Sequence, residues 1–357
     1  MTTPIAIFPY SQALSTPYRW SKGTQHRRGG LLVRVEIDGN VGWGEAALPP
    51  HVDYDTAIMA TQCRALIEGL DPLAPDFLAR LDEREPSARL RCGISTALHS
   101  ALAACEGKSL SAYLAGDGAS PASEVPINEL VTDEEPKACV QRVGEALARG
   151  QNMVKVKCTQ ERELDIARIG AIRDAFPDIG IRLDPNESWS PDWALGQLRA
   201  MAQFNIDYCE EPLPRGTPMS FYTRLCAESP VPIALDDSVR TPFHAECIIT
   251  LGAAHVFILK AQRLGGPDVT ARIINMARQA GLRCVVTASL ESAIGLHLAL
   301  HCAALLPQPI EPCGLGTARF FASDVGDPPP IVDGAMFVPE TPGLGVEPYP
   351  RALETAA

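Results

Sequence analysis

Between Gly29 and Glu45 the sequence GGLLVRVEIDGNVGWGE alternates apolar and polar residues on either side of an Asp-Gly-Asn turn. Two alternating runs joined by such a turn predict a β-hairpin. From about Tyr54 to Leu114 the apolar spacing becomes helical, through the alanine-rich SARLRCGISTALHSALAACEG, and it breaks at GDGASPASE. Residues 1–123 are therefore expected to form one α+β lobe.

Beyond Glu124 short apolar runs alternate with longer amphipathic segments: VPINELV, MVKVKC, IGIRLD, IDYCE, VPIALD, HVFILK and LRCVVT. Strands that alternate with helices pair in parallel through helical crossovers. Seven such strands, with an eighth expected around Glu311 to Gly316, predict an α/β fold of the TIM type closed over residues 124–322. The proline- and glycine-rich tail, 323–357, is expected to pack back on the first lobe.

Composition narrows the function. A chain of 357 residues with 46% hydrophobic and 21% charged residues is an ordinary globular protein. Its net charge of −12 argues against nucleic acid or an anionic membrane surface as partner, since both repel an acidic protein. An anionic small molecule would need locally placed cations. Eleven cysteines stand singly, without a C-x-x-C pair, which reads as reduced thiols in a cytoplasmic protein. The N-terminus shows no signal-peptide pattern, and no apolar stretch is long enough to span a bilayer.

Lys157, Asp184, Glu210, Asp236 and Lys260 stand at the ends of successive predicted strands, at intervals of 27, 26, 26 and 24 residues. Each interval is one βα unit, so in a barrel all five converge on the rim where active sites are built. Strand alternation puts Lys155 on the face of Lys157, Arg182 on that of Asp184, and selects Glu210 over Glu211 and Asp236 over Asp237. Three neighbouring carboxylates raise one another's pKa unless a cation joins them. Oxygen donors without histidine or thiolate favour Mg²⁺, with Mn²⁺ as the alternative, over zinc. A metal there would stabilise the enediolate left when a lysine removes a proton α to a carboxylate.

The segments VKVKC, LDPNES, YCEEP, ALDDS and ILKAQRLGG resemble the enolase superfamily, specifically its muconate-lactonizing subgroup. That resemblance implies a modified (β/α)7β barrel, with the first lobe as an α+β capping domain. It also implies Asp184, Glu210 and Asp236 as Mg²⁺ ligands, Lys157 as the base, Lys260 on the opposite face, and Asn186 beside the substrate. Lys155 has either a supporting role or a solvated place on the rim. Asp237 departs from the glutamate of many relatives, which leaves the surroundings of the metal open.

VTASLESAIGLHLA and EPCGLGTARFFASDV further resemble the o-succinylbenzoate synthases of menaquinone biosynthesis. This implies Mg²⁺-dependent dehydration of 2-succinyl-6-hydroxy-2,4-cyclohexadiene-1-carboxylate to o-succinylbenzoate, with Ser289 and Gly314 as substrate contacts. GLGTARF lacks the Asp-x-Asp of the subgroup's dipeptide epimerases, which counts against an amino-dipeptide. Arg263, three residues after Lys260, is similar to the branch that also racemises N-succinylamino acids, so racemisation stays open. The other rivals are a Schiff-base lysine aldolase barrel and a barrel that binds without catalysing. A homo-oligomer is compatible with all of them.

Other features have plainer readings. His297 and His301, four apart, lack the glutamate of a zinc-protease helix and read as structural; Gly265-Gly266 reads as a tight βα turn. Cys158 and Cys209 are expected to point away from the site. YRWSKGTQHRR, with Arg19, Lys22, Arg27 and Arg28, is the densest basic cluster. It is either a solvated loop or a lid that excludes water and neutralises a dicarboxylate.

Overall fold

The computed structural model describes residues 5–20, 23–49 and 55–354. The first lobe is an antiparallel sheet of β1 (Ile5–Trp20), β2 (Gly23–Ile37) and β3 (Asn40–Ala47). Asp38 and Gly39, with φ of 48° and 80°, form the two-residue turn expected between β2 and β3. The two-residue period then splits β2 between two cores. Leu31, Val33, Val35 and Ile37 pack with Met59, Phe77, Leu81 and Ile94, whereas Leu32 joins the cluster that fills the barrel.

Helices α1 (Thr56–Ile67), α2 (Phe77–Asp82), α3 (Ala88–Cys105) and α4 (Leu110–Ala115) complete this lobe. A Cβ on Gly42 or Gly44 would lie 2.1 Å from the carbonyl oxygen of Ala97 or Gly93. Glycine at both positions lets α3 lie directly on β3. The Ser87 hydroxyl starts α3 by accepting from the Leu90 amide.

Short β4 (Glu124–Pro126) leads into a parallel sheet running in sequence order. Its strands are β5 (Glu129–Val131), β6 (Met153–Lys157), β7 (Gly180–Asp184), β8 (Ile206–Glu210), β9 (Ile233–Leu235), β10 (Val256–Leu259) and β11 (Arg283–Val286). Between them run α5 (Pro136–Ala148), α6 (Arg162–Ala175), α7 (Pro191–Met201), α8 (Met219–Glu228), α9 (Pro242–Leu251), short α10 (Ala261–Leu264) and α11 (Pro267–Gln279). Four of these begin on proline, whose missing N–H costs nothing in a first turn. Helix α12 (Ala293–Ala303) follows β11.

The eighth strand expected from Glu311 to Gly316 is reduced to single parallel bridges. Cys313 pairs with Ile127 and Gly314 with Thr287. The Cys313 amide donates to Pro126 and the Gly314 amide to Val286, while the carbonyls of Cys313 and Gly314 accept from Asn128 and Ala288. These bonds carry the curled sheet across its gap. Pro312 has no N–H, so the pairing of Gly314 with the β11 side cannot extend backwards through it. In the tail, β12 (Ala335–Phe337) pairs with β4, and Gly343 bonds to Lys108 and Leu110 beside α4, ahead of α13 (Pro350–Leu353). Among the described residues no helix is long and apolar enough to cross a membrane.

Candidate active site

Five adjacent strand ends bring the predicted residues into one row. Lys155 and Lys157 end β6, Asp184 ends β7, Glu210 ends β8, Asp236 follows β9 and Lys260 follows β10. Lys157 Nζ lies 2.6 Å from Asp184 Oδ2, and Lys260 bonds Asp236. A lysine therefore closes each end of the row. Lys155 Nζ stands inside it, 2.7 Å from both Asp184 and Glu210, and Lys155 is buried. Lys155 is thus buried between two carboxylates and is not solvated on the rim.

Each charge here is set by burial against its neighbours. Burial alone would raise the Asp184 carboxyl, but Lys155 and Lys157 outweigh it and the net direction is down. Asp236 also falls, since Arg263 and Lys260 overcome its burial. Burial pushes Glu210 up, Lys155 partly offsets this, and repulsion from Asp184 and Asp236 adds to the rise. Burial would lower Lys155, yet Asp184 and Glu210 hold it up and charged. The middle carboxylate is thus the one of the three pushed up, chiefly by its burial.

Among the described residues no three histidine, cysteine or acidic side chains stand close enough together to hold a metal ion, and Lys155 spans two of the carboxylates. In chemistry the donors still fit a hard divalent cation. Three carboxylates face one mouth, with no nitrogen or sulfur donor among them, and Glu210 feels the charge of the other two.

Alternation misses a supporting layer. Glu211, with φ of 38°, turns out of the row and receives hydrogen bonds from the Asp236 amide (2.7 Å), Tyr222 and Ser238. Burial pushes its pKa up to about 7 despite the Ser238 and Asp236 donors. Its place suits fixing the chain on both sides of Asp236, and the doublet Glu210-Glu211 is the sequence signal for it. Glu45, from the first lobe, accepts from Tyr10 and from the Ser292 and Gly295 amides at the start of α12. Gln262 likewise ties the barrel to Ala47 and Glu45. Sequence spacing gives no sign of either link.

The expected substrate contacts fare unevenly. Asn186 Oδ1 accepts from Lys157 at 2.6 Å, so it stands in the row. Among the described residues the buried Ser289 hydroxyl has no hydrogen-bond partner, and a Cβ on Gly314 would lie 2.8 Å from Thr287 Cγ2. Arg263 pairs with Asp236 at 3.1 Å and Asp237 at 2.8 Å. Asp237 also meets Arg215 at 3.3 Å, which is where this departure from glutamate sits.

The described residues of the basic segment are strand where a loop was expected. Arg27 and Arg28 pair with Ala13 and Gln12 across β1 and β2. Arg27 bonds Ser11, while Arg28 is buried and donates to the carbonyls of Ser289 and Leu290. Arg28 thus pins the loop after β11 and is no mobile lid cation; its backbone pairing and burial fix it. Lys22 lies outside the described residues. His297 and His301 are buried and bonded to Ala293, Ser111 and Leu344, as structural histidines are. Gly265 and Gly266, at φ of 101° and 128°, form the tight turn.

Residues 138–352 match the family described as Enolase C-terminal domain-like. An o-succinylbenzoate synthase of Mycolicibacterium smegmatis is 35% identical over 220 residues, 60% of this chain and 65% of the relative. The chain thus matches just under two thirds of that relative's length. A D-Ala-D/L-Ala epimerase of Cytophaga hutchinsonii is 28% identical over 361 residues, covering 96% of this chain and 95% of the relative. Among solved structures, an N-succinyl Arg/Lys racemase from Bacillus cereus superposes with a TM-score of 0.88 at 21% identity, over 99% of this chain and 97% of that one. A dipeptide epimerase from Enterococcus faecalis, complexed with Mg and L-Leu-L-Tyr, gives 0.87 at 22%, over 96% and 99%. At these identities the two structures share the fold.

Proposed function

Because the chain belongs to the Enolase C-terminal domain-like family, we propose that its row of strand ends removes a proton α to a substrate carboxylate, and that the reaction is the o-succinylbenzoate synthase dehydration. The observation that carries the reading is the flanking of three buried carboxylates by two lysines across five adjacent strands. Asp184, Glu210 and Asp236 would hold Mg²⁺. When bound, the cation supplies stabilisation of the enediolate charge.

The rest is the work of this chain's own side chains. Lys157 Nζ takes the α-proton and, as an ammonium, returns a proton to the departing hydroxide, so that water leaves. Asn186 and Asp184 hold the Lys157 amine in place from two sides. Lys260, across the row, is the fixed cation facing the developing charge. Arg263 and Glu211 keep Asp236 oriented. Burial of the row raises the worth of each of these interactions over what water would allow.

A second reading, racemisation of an N-succinylamino acid, is favoured by the same symmetry. Each terminal carboxylate carries its own lysine, so each face of a planar intermediate has an acid or base. The similarity to an epimerase along almost the whole chain supports it as well. Assaying purified protein in Mg²⁺ with the cyclohexadiene substrate and with both enantiomers of N-succinyl amino acids separates the two. Turnover of the former alone selects the synthase; turnover surviving complete metal removal contradicts both.

A further inference from the structure

A cavity of about 430 Å³ lies on the seam between the first lobe and the barrel. Its size falls in the lower part of the range of small-molecule sites. Leu48, Met59 and Leu90 give it apolar walls, and Arg89, Arg240 and Arg263 bring three guanidinium groups to it. Asp237 is the one carboxylate in the lining among the described residues, and Arg263 and Arg215 already share it.

The other two arginines have no such partner. Arg240 is exposed and donates to the Asp237 carbonyl at 2.8 Å, and among the described residues it makes no ion pair. Arg89 bonds the Ala47 carbonyl at 3.0 Å and likewise meets no carboxylate. Its place makes that costly, because it stands in the first turn of α3, where the helix dipole disfavours a cation. Burial also lowers its pKa to about 10, against a smaller opposing pull from Glu291. An anion in the cavity relieves all of this at once.

We propose that this seam cavity binds a small aliphatic carboxylate, its charge on Arg89 and Arg240 and its hydrocarbon against Leu48, Met59 and Leu90. Guanidinium groups hold a carboxylate in paired hydrogen bonds, and the apolar walls distinguish a carbon chain from inorganic phosphate. Lys157, Asp184 and Glu210 do not line the cavity, and only Arg263, which also pairs with Asp236, joins it to the edge of the row.

The test is calorimetric titration of succinate into the full-length protein in a chelator, so that no metal at the strand ends contributes. The expected result is a dissociation constant below about 10 mM, weakened at least about tenfold in Arg89→Met and in Arg240→Met and unchanged in Lys157→Ala. Arg240 is exposed, so its substitution tests the site even if Arg89→Met folds poorly. Met59→Trp, which fills the cavity, should also abolish binding. No binding to the wild type, binding indifferent to both arginines, or loss in Lys157→Ala would overturn the proposal. Phosphate binding as tightly as succinate would overturn the assigned class.

Discussion

Asp184 and Arg182 lie two residues apart on β7, on the same inward face, and they sit in two charge layers with opposite characters. The upper layer is the row of carboxylates bridged by ammonium groups. In the lower one Arg182 is fully buried, reaching Asp207 at 2.8 Å and Glu311 at 3.1 Å and lying 4.7 Å from the Tyr208 ring centroid. Arg283 joins the same two carboxylates. A guanidinium does not release its proton, so this layer can only hold; it ties β7, β8 and β11 to the closing segment at Glu311 and Pro312. An ammonium can release its proton, and the lysines are confined to the rim, where substrates arrive.

Removing charge from the two layers should therefore do different things. The largest effect is expected from Asp184→Ala, Glu210→Ala or Asp236→Ala, each of which should cut kcat at least about a thousandfold and weaken Mg²⁺ binding severely. A calorimetric Mg²⁺ titration with wild-type affinity in any of them would take that residue out of the site. In the lower layer, Arg182→Met should cost about 1–3 kcal/mol of stability, because it leaves the part-buried carboxylates of Asp207 and Glu311 to Arg283 alone. Urea unfolding measures it, and an unchanged midpoint would mean this layer does not hold the barrel. Lys157→Met should shift that midpoint far less, since Asp184 keeps Lys155.

A smaller, pH-dependent effect is expected at the link between the lobes. Burial pushes the Glu45 carboxyl up to about 7, against the opposing hydrogen bonds of Ser292 and Tyr10. Between its ordinary value near 4.5 and 7 the unfolded chain gives up a proton that the folded one keeps. Stability from this group is therefore full below about pH 4.5 and is lost as pH rises toward 7, by up to about 3 kcal/mol. Glu45→Gln should flatten this slope in thermal melts across the range. A Glu45-dependent stability that rises with pH would mean the donors outweigh burial. Smallest of all, Arg27→Gln should change KM by no more than about threefold, because an exposed ribbon cation bonded to Ser11 adds little. A large kcat loss would restore the lid.

The row was legible from sequence because two periods coincide there. The βα repeat sets equal spacing between strand ends, and alternation along each strand separates Glu210 beside Lys155 from Glu211 beside Ser238. Both are local properties of the chain. The role of Arg28 is not local, since its guanidinium meets Ser289 and Leu290 more than 260 residues away. Glu45 at the start of α12 and Arg263 between two aspartates are hidden for the same reason. The eighth strand is reduced to two bridges, because Cys313 and Gly314 pair with different neighbours, and two residues leave almost no periodic signal.

The central claim, that Lys157 moves the α-proton, is tested most directly in deuterium oxide with Mg²⁺, by following deuterium entry at the α-carbon by NMR in wild type, Lys157→Arg and Lys260→Arg. Arginine keeps the charge but is too weak an acid to shuttle protons. The substrates are the cyclohexadiene carboxylate and both enantiomers of an N-succinyl amino acid. The account predicts no dehydration in Lys157→Arg, residual dehydration in Lys260→Arg, and, for any racemase activity, exchange confined to one enantiomer in each variant. Dehydration by Lys157→Arg at near the wild-type rate would contradict it.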